Sequence, residues 1–270
     1  MSKDFTALLQ AQDEDRYLAS VFAAPSTRAG LHALYAFNYE IARIAEATSE
    51  SLIGEMKLTW WRDAVDDLYL DPARIRRHDV TEALALIIHH LPKVELLSLV
   101  AARVDDVSAR PFEDLDDILA YVDASATALM RLALRVCGAE LDEDQLRSAG
   151  RAWGLTGLLR AFPMKAQIGR APVPGDRLAQ LGGSAAMMAQ GLGEEKVTEA
   201  LEPVVKEAQI AYSAFRDAGP LPADAMPALG YVVLVPRYLK HLPTSPYALA
   251  GDLNPLGRRL RLSWASLTGR

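Results

Sequence analysis

Apolar residues recur three and four positions apart along almost the whole chain, and β-branched alternation never persists for long. A period near 3.6 gathers such residues on one face of a helix, whereas a half-buried strand needs a period of two. Leu31, Leu34, Tyr35, Asn38 and Ile41 form one such stripe. The chain is therefore expected to be all-α. Helices are expected over 6–23, closed by Pro25, and over 26–47, with Ser26 as N-cap. A third, capped by Ser49, runs to Leu70 and stops at Asp71-Pro72. Further helices are expected over 80–90, 93–109, 112–137, 142–169, 194–218 and 226–241, with Gly138 and Gly219-Pro220 marking two of the ends. Residues 170–193, rich in Gly and Pro, read as a loop with short helical pieces, because long helices flank them closely. No internal repeat or low-complexity tract intervenes. Residues 1–270 are thus expected to form one domain, a bundle of about eight to ten helices with any site between helices.

A chain of 270 residues, 50% of them hydrophobic, can bury one large core. Its apolar runs are short. That at 83–88 is followed at once by His89 and His90, far from the roughly 20 residues of a membrane span. Residues 1–12 carry Lys3 and Asp4 and lack a long apolar stretch with a small-residue cleavage site, so no secretory signal is expected. One cysteine, Cys137, allows no internal disulfide and fits a reducing cytoplasm. A net charge of −6 argues against a nucleic-acid partner. The charge is uneven, however. Residues 256–270 hold Arg258, Arg259, Arg261 and Arg270 and no acid, with Leu256, Leu260, Trp264 and Leu267 at helical spacing. Such a basic amphipathic end can make peripheral contact with an anionic membrane, here at its inner face. The plainer expectation is a last helix that docks its apolar side on the core.

Most residues of catalytic type read as structural. His89 and His90 point about 100° apart on a helix and cannot chelate together. His32, His78 and His241 have no acidic or cysteine partners at ligand spacing, and Cys137 lies in an apolar run. No nucleophile elbow or P-loop is present, and Gly182-Gly183-Ser184 reads as a loop. Asp63, Asp66 and Asp67 read as a solvated helix face or a partner for Arg62, and the acids at 113–117 as a helix start.

Two blocks carry a family resemblance. Asp15-Arg16-Tyr17-Leu18-Ala19-Ser20 with Leu34-Tyr35-Ala36-Phe37-Asn38 resembles the opening helices of squalene and phytoene synthases. Gly154-Leu155-Thr156-Gly157-Leu158-Leu159-Arg160 with Gly169-Arg170-Ala171-Pro172-Val173-Pro174 is similar to their second signature helix and the loop after it. The resemblance covers most of the chain and implies the isoprenoid-synthase bundle. Active members join two prenyl diphosphates head to head, using two Asp-rich helices that face each other across an apolar cavity. Aspartates at i and i+4 share a helix face and hold Mg²⁺, which stabilises the departing diphosphate. Here the first motif falls on Ala42, Arg43 and Glu46, with Glu50 one turn on, and the second on Ala161 and Lys165. One or two glutamates on one helix are too few ligands, so the resemblance implies neither catalytic nor metal-binding residues and no cofactor.

The segment from Arg43 to Asp63, through Trp60-Trp61-Arg62, and the block Leu159-Arg160-Ala161-Phe162-Pro163 look like the non-catalytic branch of that family, which includes a mitochondrial complex I assembly factor. Pro163 is expected to kink its helix. This resemblance implies a protein partner in respiratory complex assembly. It also implies a relic diphosphate pocket of Arg43, Glu46, Glu50, Arg160, Lys165 and Arg170, able to take an isoprenoid or lipid-like anion by direct cation contact. Two alternatives stand beside it. Arg160 could pair with Glu46 as a structural salt bridge, or an active Mg²⁺-dependent prenyltransferase could recruit Glu46, Glu50, Asp63 or Asp67.

Overall fold

The computed structural model describes residues 4–48 and 50–270, so the expected cap at Ser49 lies outside the described residues, as does Lys3. Among the described residues there are helices and no strands. The expected first helix is two, α1 (Thr6–Gln12) and α2 (Glu14–Ser20), because Asp13 leaves helical geometry between them. In α3 (Pro25–Ala42), Pro25 opens the helix instead of closing the previous one; its fixed φ and missing N–H suit the first turn, which places Ser26 inside the helix. This helix ends at Ala42, short of the expected 47. After α4 (Ser51–Leu70) come a 3₁₀ turn at Pro72–Arg74, α5 (Asp79–Ala85) and a second turn at Ile88–His90. The expected helix over 93–109 divides into α6 (Lys93–Ala101) and α7 (Val104–Val107), and Ala109 lies at φ 51 beyond them.

Three further elements form a long, nearly continuous rod: α8 (Leu115–Val122), a π-helical turn at Asp123–Thr127, and α9 (Ala128–Cys137), which closes on Gly138 at φ 66. Opposite it runs α10 (Glu143–Arg160), capped by Asp142, whose carboxylate accepts from the Asp144 and Gln145 amides. The helix expected to continue through Pro163 instead stops at Ala161. Pro163 then sits in the first turn of α11 (Phe162–Gln167), where its missing donor costs nothing. Residues 170–193 contain α12 (Gly175–Gln180) and α13 (Ala185–Ala189). Beyond them lie α14 (Glu194–Asp217), α15 (Met226–Leu229), a 3₁₀ segment at Gly230–Leu234, α16 (Val235–Lys240) and α17 (Pro255–Thr268).

Two buried clusters share α10 as a common wall. One contains Tyr35, Phe37, Trp61, Tyr231 and Tyr238 and takes Leu146 and Ala149 from α10. The other contains Phe112, Ile118, Phe162 and Val204 and takes Leu155 and Leu159. Where α10 meets the π turn, glycines allow close approach. A Cβ on Gly150 would lie 2.7 Å from the Thr127 Cα, and one on Gly154 would lie 2.6 Å from a Val122 methyl.

The C-terminal helix reverses the plainer expectation. Its inward face is Arg258, Leu262 and Ala265, while Leu256, Leu260, Trp264 and Leu267 are 66, 62, 61 and 83% exposed. Arg258 fixes this orientation. Its side chain is buried and bonds the carboxylates of Glu14 and, at 3.3 Å, Asp15. Turning the leucine stripe inward would strip both carboxylates of their cation.

Candidate functional site

A cavity of about 310 Å³ lies between α3, the α8–α9 rod and α10–α11. From α3 and the turn after it come Asn38, Tyr39, Ala42, Arg43 and Glu46. The rod contributes Tyr121, Val122, Ser125, Ala126 and Leu129, and α10–α11 contribute Trp153, Gly154, Gly157, Leu158, Ala161 and Lys165. Small residues at 154, 157 and 161 face it from α10 and the break that follows; a Cβ on Gly157 would meet nothing within 4 Å. The cavity exists because α10 touches the rod at Gly150 and Gly154 and then runs clear of it.

Of the residues expected at the relic pocket, three meet there. Arg43 and Glu46 lie in the turn that follows α3, and Lys165 faces them from α11, its ammonium 3.5 Å from the Glu46 carboxylate. The other three do not line this cavity. Arg160 lies over the Tyr238 ring, 3.8 Å from its centroid, and reaches Asp252 at 3.7 Å, so the alternative pairing with Glu46 is replaced by Lys165. Arg170 is 1% exposed and stacks on Phe112 at 3.7 Å, beside Asp106 and Asp105, while donating to the Arg110 carbonyl. It is a core cation that follows the turn at Gly169 (φ 76) and is held by Phe112, Asp106 and the Arg110 carbonyl. Glu50 is exposed and precedes the first residue of α4. The acids of α4 are engaged elsewhere: Asp67 and Asp63 with Arg76 at 2.8 and 3.7 Å, and Asp66 with Lys93 at 2.8 Å.

Two cavity cations were not among the expected site residues. Arg16 is surrounded by the rings of Tyr35, Trp153 and Tyr231 at 5.6, 6.0 and 5.2 Å, and donates to Asp13 at 2.6 Å. Burial opposes its charge, but Asp13 and the tyrosine oxygens outweigh burial and hold the guanidinium firmly protonated. Arg103 donates to Tyr121 (2.7 Å), Asn38 (3.2 Å) and Asp106 (3.4 Å), and its buried Nε has no partner. Burial again works against its charge, and Tyr121 and Asp106 prevail. The Tyr121 hydroxyl, pushed up chiefly by burial, stays neutral and donates to Asp106 at 2.7 Å. The signal for Arg16 was its place inside the Asp15–Tyr17 block; Arg103 stands in no motif.

Mg²⁺, which the fold implies, does not fit these residues. Among the described residues Glu46 is the one carboxylate that lines the cavity, and it faces Lys165, with Arg16, Arg43 and Arg103 also in the lining. Among the described residues, no group of three or more His, Cys, Asp or Glu side chains is placed to hold a metal ion. The cavity combines cationic and apolar walls, a lining whose chemistry suits an anion with an apolar tail better than a metal ion. A second cavity, of about 630 Å³, opens on the other face of α10–α11. It is lined mainly by apolar side chains, among them Leu159, Phe162, Leu201 and Leu242.

Comparison with known proteins agrees with this geometry. The squalene/phytoene synthase family model matches residues 9–266. A relative in Bos taurus, NADH dehydrogenase (ubiquinone) complex I, assembly factor 6, is 27% identical over 238 residues, 87% of this chain and 72% of that protein. The presqualene diphosphate synthase of Sinorhizobium fredii is 25% identical over 206 residues, 73% of this chain and 71% of the enzyme. The crystal structure of a dehydrosqualene synthase in complex with ligand superposes with a TM-score of 0.77 at 16% identity, covering 97% of this chain and 93% of that one. With the family pattern spanning nearly the whole sequence and the same bundle formed in space, the chain belongs to the squalene/phytoene synthase family.

Proposed function

We propose that this chain is a non-catalytic member of its family that works in the assembly of a respiratory complex, its cavity kept as a binding site and not as a reaction chamber. The observation that carries the reading is the Lys165–Glu46 pair, which occupies the ground between the two helices where family enzymes hold metal. A cation there repels Mg²⁺, and without metal the ionisation of a prenyl diphosphate loses its main electrostatic support. The similarity to complex I assembly factors over 87% of the chain favours the assembly role. In this reading the cavity takes an isoprenoid or lipid-like anion. Arg43 and Lys165 meet its phosphate oxygens, while Leu129 and Leu158 meet its apolar chain.

Two experiments test the two halves. Deleting the gene should lower complex I content and NADH oxidation in isolated membranes, both restored by the intact gene; normal values in the deletion strain refute the assembly role. Farnesyl diphosphate, titrated calorimetrically, should bind with the same affinity in EDTA as in Mg²⁺. Binding that vanishes in EDTA contradicts direct cation contact and returns the chain to the enzymes.

A further inference from the structure

We infer that the outer face of α17 seats this protein on an anionic lipid surface. Successive residues of a helix turn by about 100°, so Leu256, Leu260, Trp264 and Leu267 fall within an arc of about 80°. By the same construction Arg259 and Arg261 flank that arc, each about 100° from its centre. The face opposite the arc holds the buried Arg258, Leu262 and Ala265, which anchor α17 to α2 and to the 3₁₀ segment before α16. The orientation is therefore fixed by the core, and the stripe is presented outward by construction.

Three observations choose the occupant. The stripe consists of large apolar side chains that are 61 to 83% exposed, with a tryptophan among them, the residue type that settles at headgroup level. Its flanks are cationic: no carboxylate side chain among the described residues pairs with Arg259 or Arg261, Arg259 is exposed, and Arg261 donates to the Arg270 main-chain oxygen at 3.0 Å. Most arginines elsewhere in the chain, such as Arg76, Arg110 and Arg151, have carboxylate partners. Finally, this acid-free segment belongs to a chain of net charge −6, so the local sign is opposite to the whole. Apolar residues that enter the acyl boundary and arginines that reach back to phosphates are the two components of interfacial binding. No helix among the described residues is long and apolar enough to cross a membrane, so α17 lies on the surface.

The test is cosedimentation of the full chain with vesicles of phosphatidylcholine alone or with about one phosphatidylglycerol in three lipids. Sedimentation is expected with the anionic vesicles only, and to weaken at high salt. Each cation is worth about fivefold in partitioning, so the double variant Arg259→Gln/Arg261→Gln should bind roughly 25-fold more weakly. Trp264→Ala should bind roughly tenfold more weakly, and Leu267→Ser should weaken binding as well. All these side chains lie at the surface, so far-UV circular dichroism and melting temperature should match the parent. Failure to sediment with either vesicle, equal sedimentation with both, or variants that bind like the parent each overturn the assignment. Self-association that Trp264→Ala abolishes, without vesicle binding, would give the face to a second copy of the chain instead.

Discussion

Two glycines on one helix should respond to the same substitution in opposite directions. At Gly157 a methyl group points into the cavity and would meet no atom within 4 Å. Alanine there gains helix propensity and restricts the unfolded chain, worth about 0.5–1 kcal/mol. At Gly150 the same methyl would lie 2.7 Å from the Thr127 Cα, and closer still to its hydroxyl oxygen. A backbone atom cannot rotate aside, so α10 and the π turn must separate, at a cost of about 3 kcal/mol that outweighs the propensity gain. The expected net loss is about 2 kcal/mol. For a chain of this size each kcal/mol moves the midpoint by about 2–4 °C, so Gly157→Ala should melt about 1–4 °C higher and Gly150→Ala about 4–8 °C lower. Thermal melts followed by far-UV circular dichroism, with urea titrations to compare m-values, measure both. A Gly157→Ala variant that loses as much as Gly150→Ala would refute the reasoning, because α10 would then be packed along its whole length and the cavity between it and α3 would not exist.

Three further outcomes follow from buried groups. His32 bonds Ser20 at 2.9 Å, and burial lowers its pKa below the usual 6.5. The folded state then binds fewer protons than the unfolded chain just below that value, so stability is lost as pH falls from 6.5 toward the lowered pKa. Melting at pH 7.5 and 5.5 should show a smaller drop in His32→Gln; an unchanged drop contradicts the assignment. Burial pushes the Cys137 thiol up to about 12, which leaves on the order of a thousandfold less thiolate at pH 8 than an ordinary thiol. Iodoacetamide should therefore label the native chain far more slowly than the urea-unfolded one, and equal rates would show an accessible thiolate. Arg258→Met removes the cation from buried Asp15, so urea unfolding should report a loss of about 3 kcal/mol, whereas a neutral result would mean that α17 is held by Leu262 and Ala265 alone.

The all-α architecture was legible because periodicity is a local signal repeated many times. Helix ends were less so where two rules competed. Pro25 reads as a terminator and Pro163 as a kink, yet both open helices, since a proline blocks the turn before it and suits the turn after. The pocket was legible where a motif fixed the register, as at Arg43, Glu46 and Lys165. Arg160 follows Leu158, which lines the cavity, by two steps, and two steps are about 200° of helix, enough to turn it from the cavity to Tyr238. Arg103 was illegible because its role depends on Asn38 and Tyr121, which come from distant parts of the chain. The outward face of α17 was hidden for a related reason: composition gives a stripe, but only the buried Arg258 tells which side faces the core.

The central claim is that the facing helices of this bundle no longer perform metal-dependent prenyl coupling. Incubation of the purified chain with farnesyl or geranylgeranyl diphosphate and Mg²⁺, followed by organic extraction and measurement of released pyrophosphate, tests it directly. The Lys165–Glu46 pair and the alanines at 42 and 161 predict no coupled hydrocarbon and no pyrophosphate above the no-protein control. Mg²⁺-dependent release of pyrophosphate with formation of a head-to-head product would contradict the account.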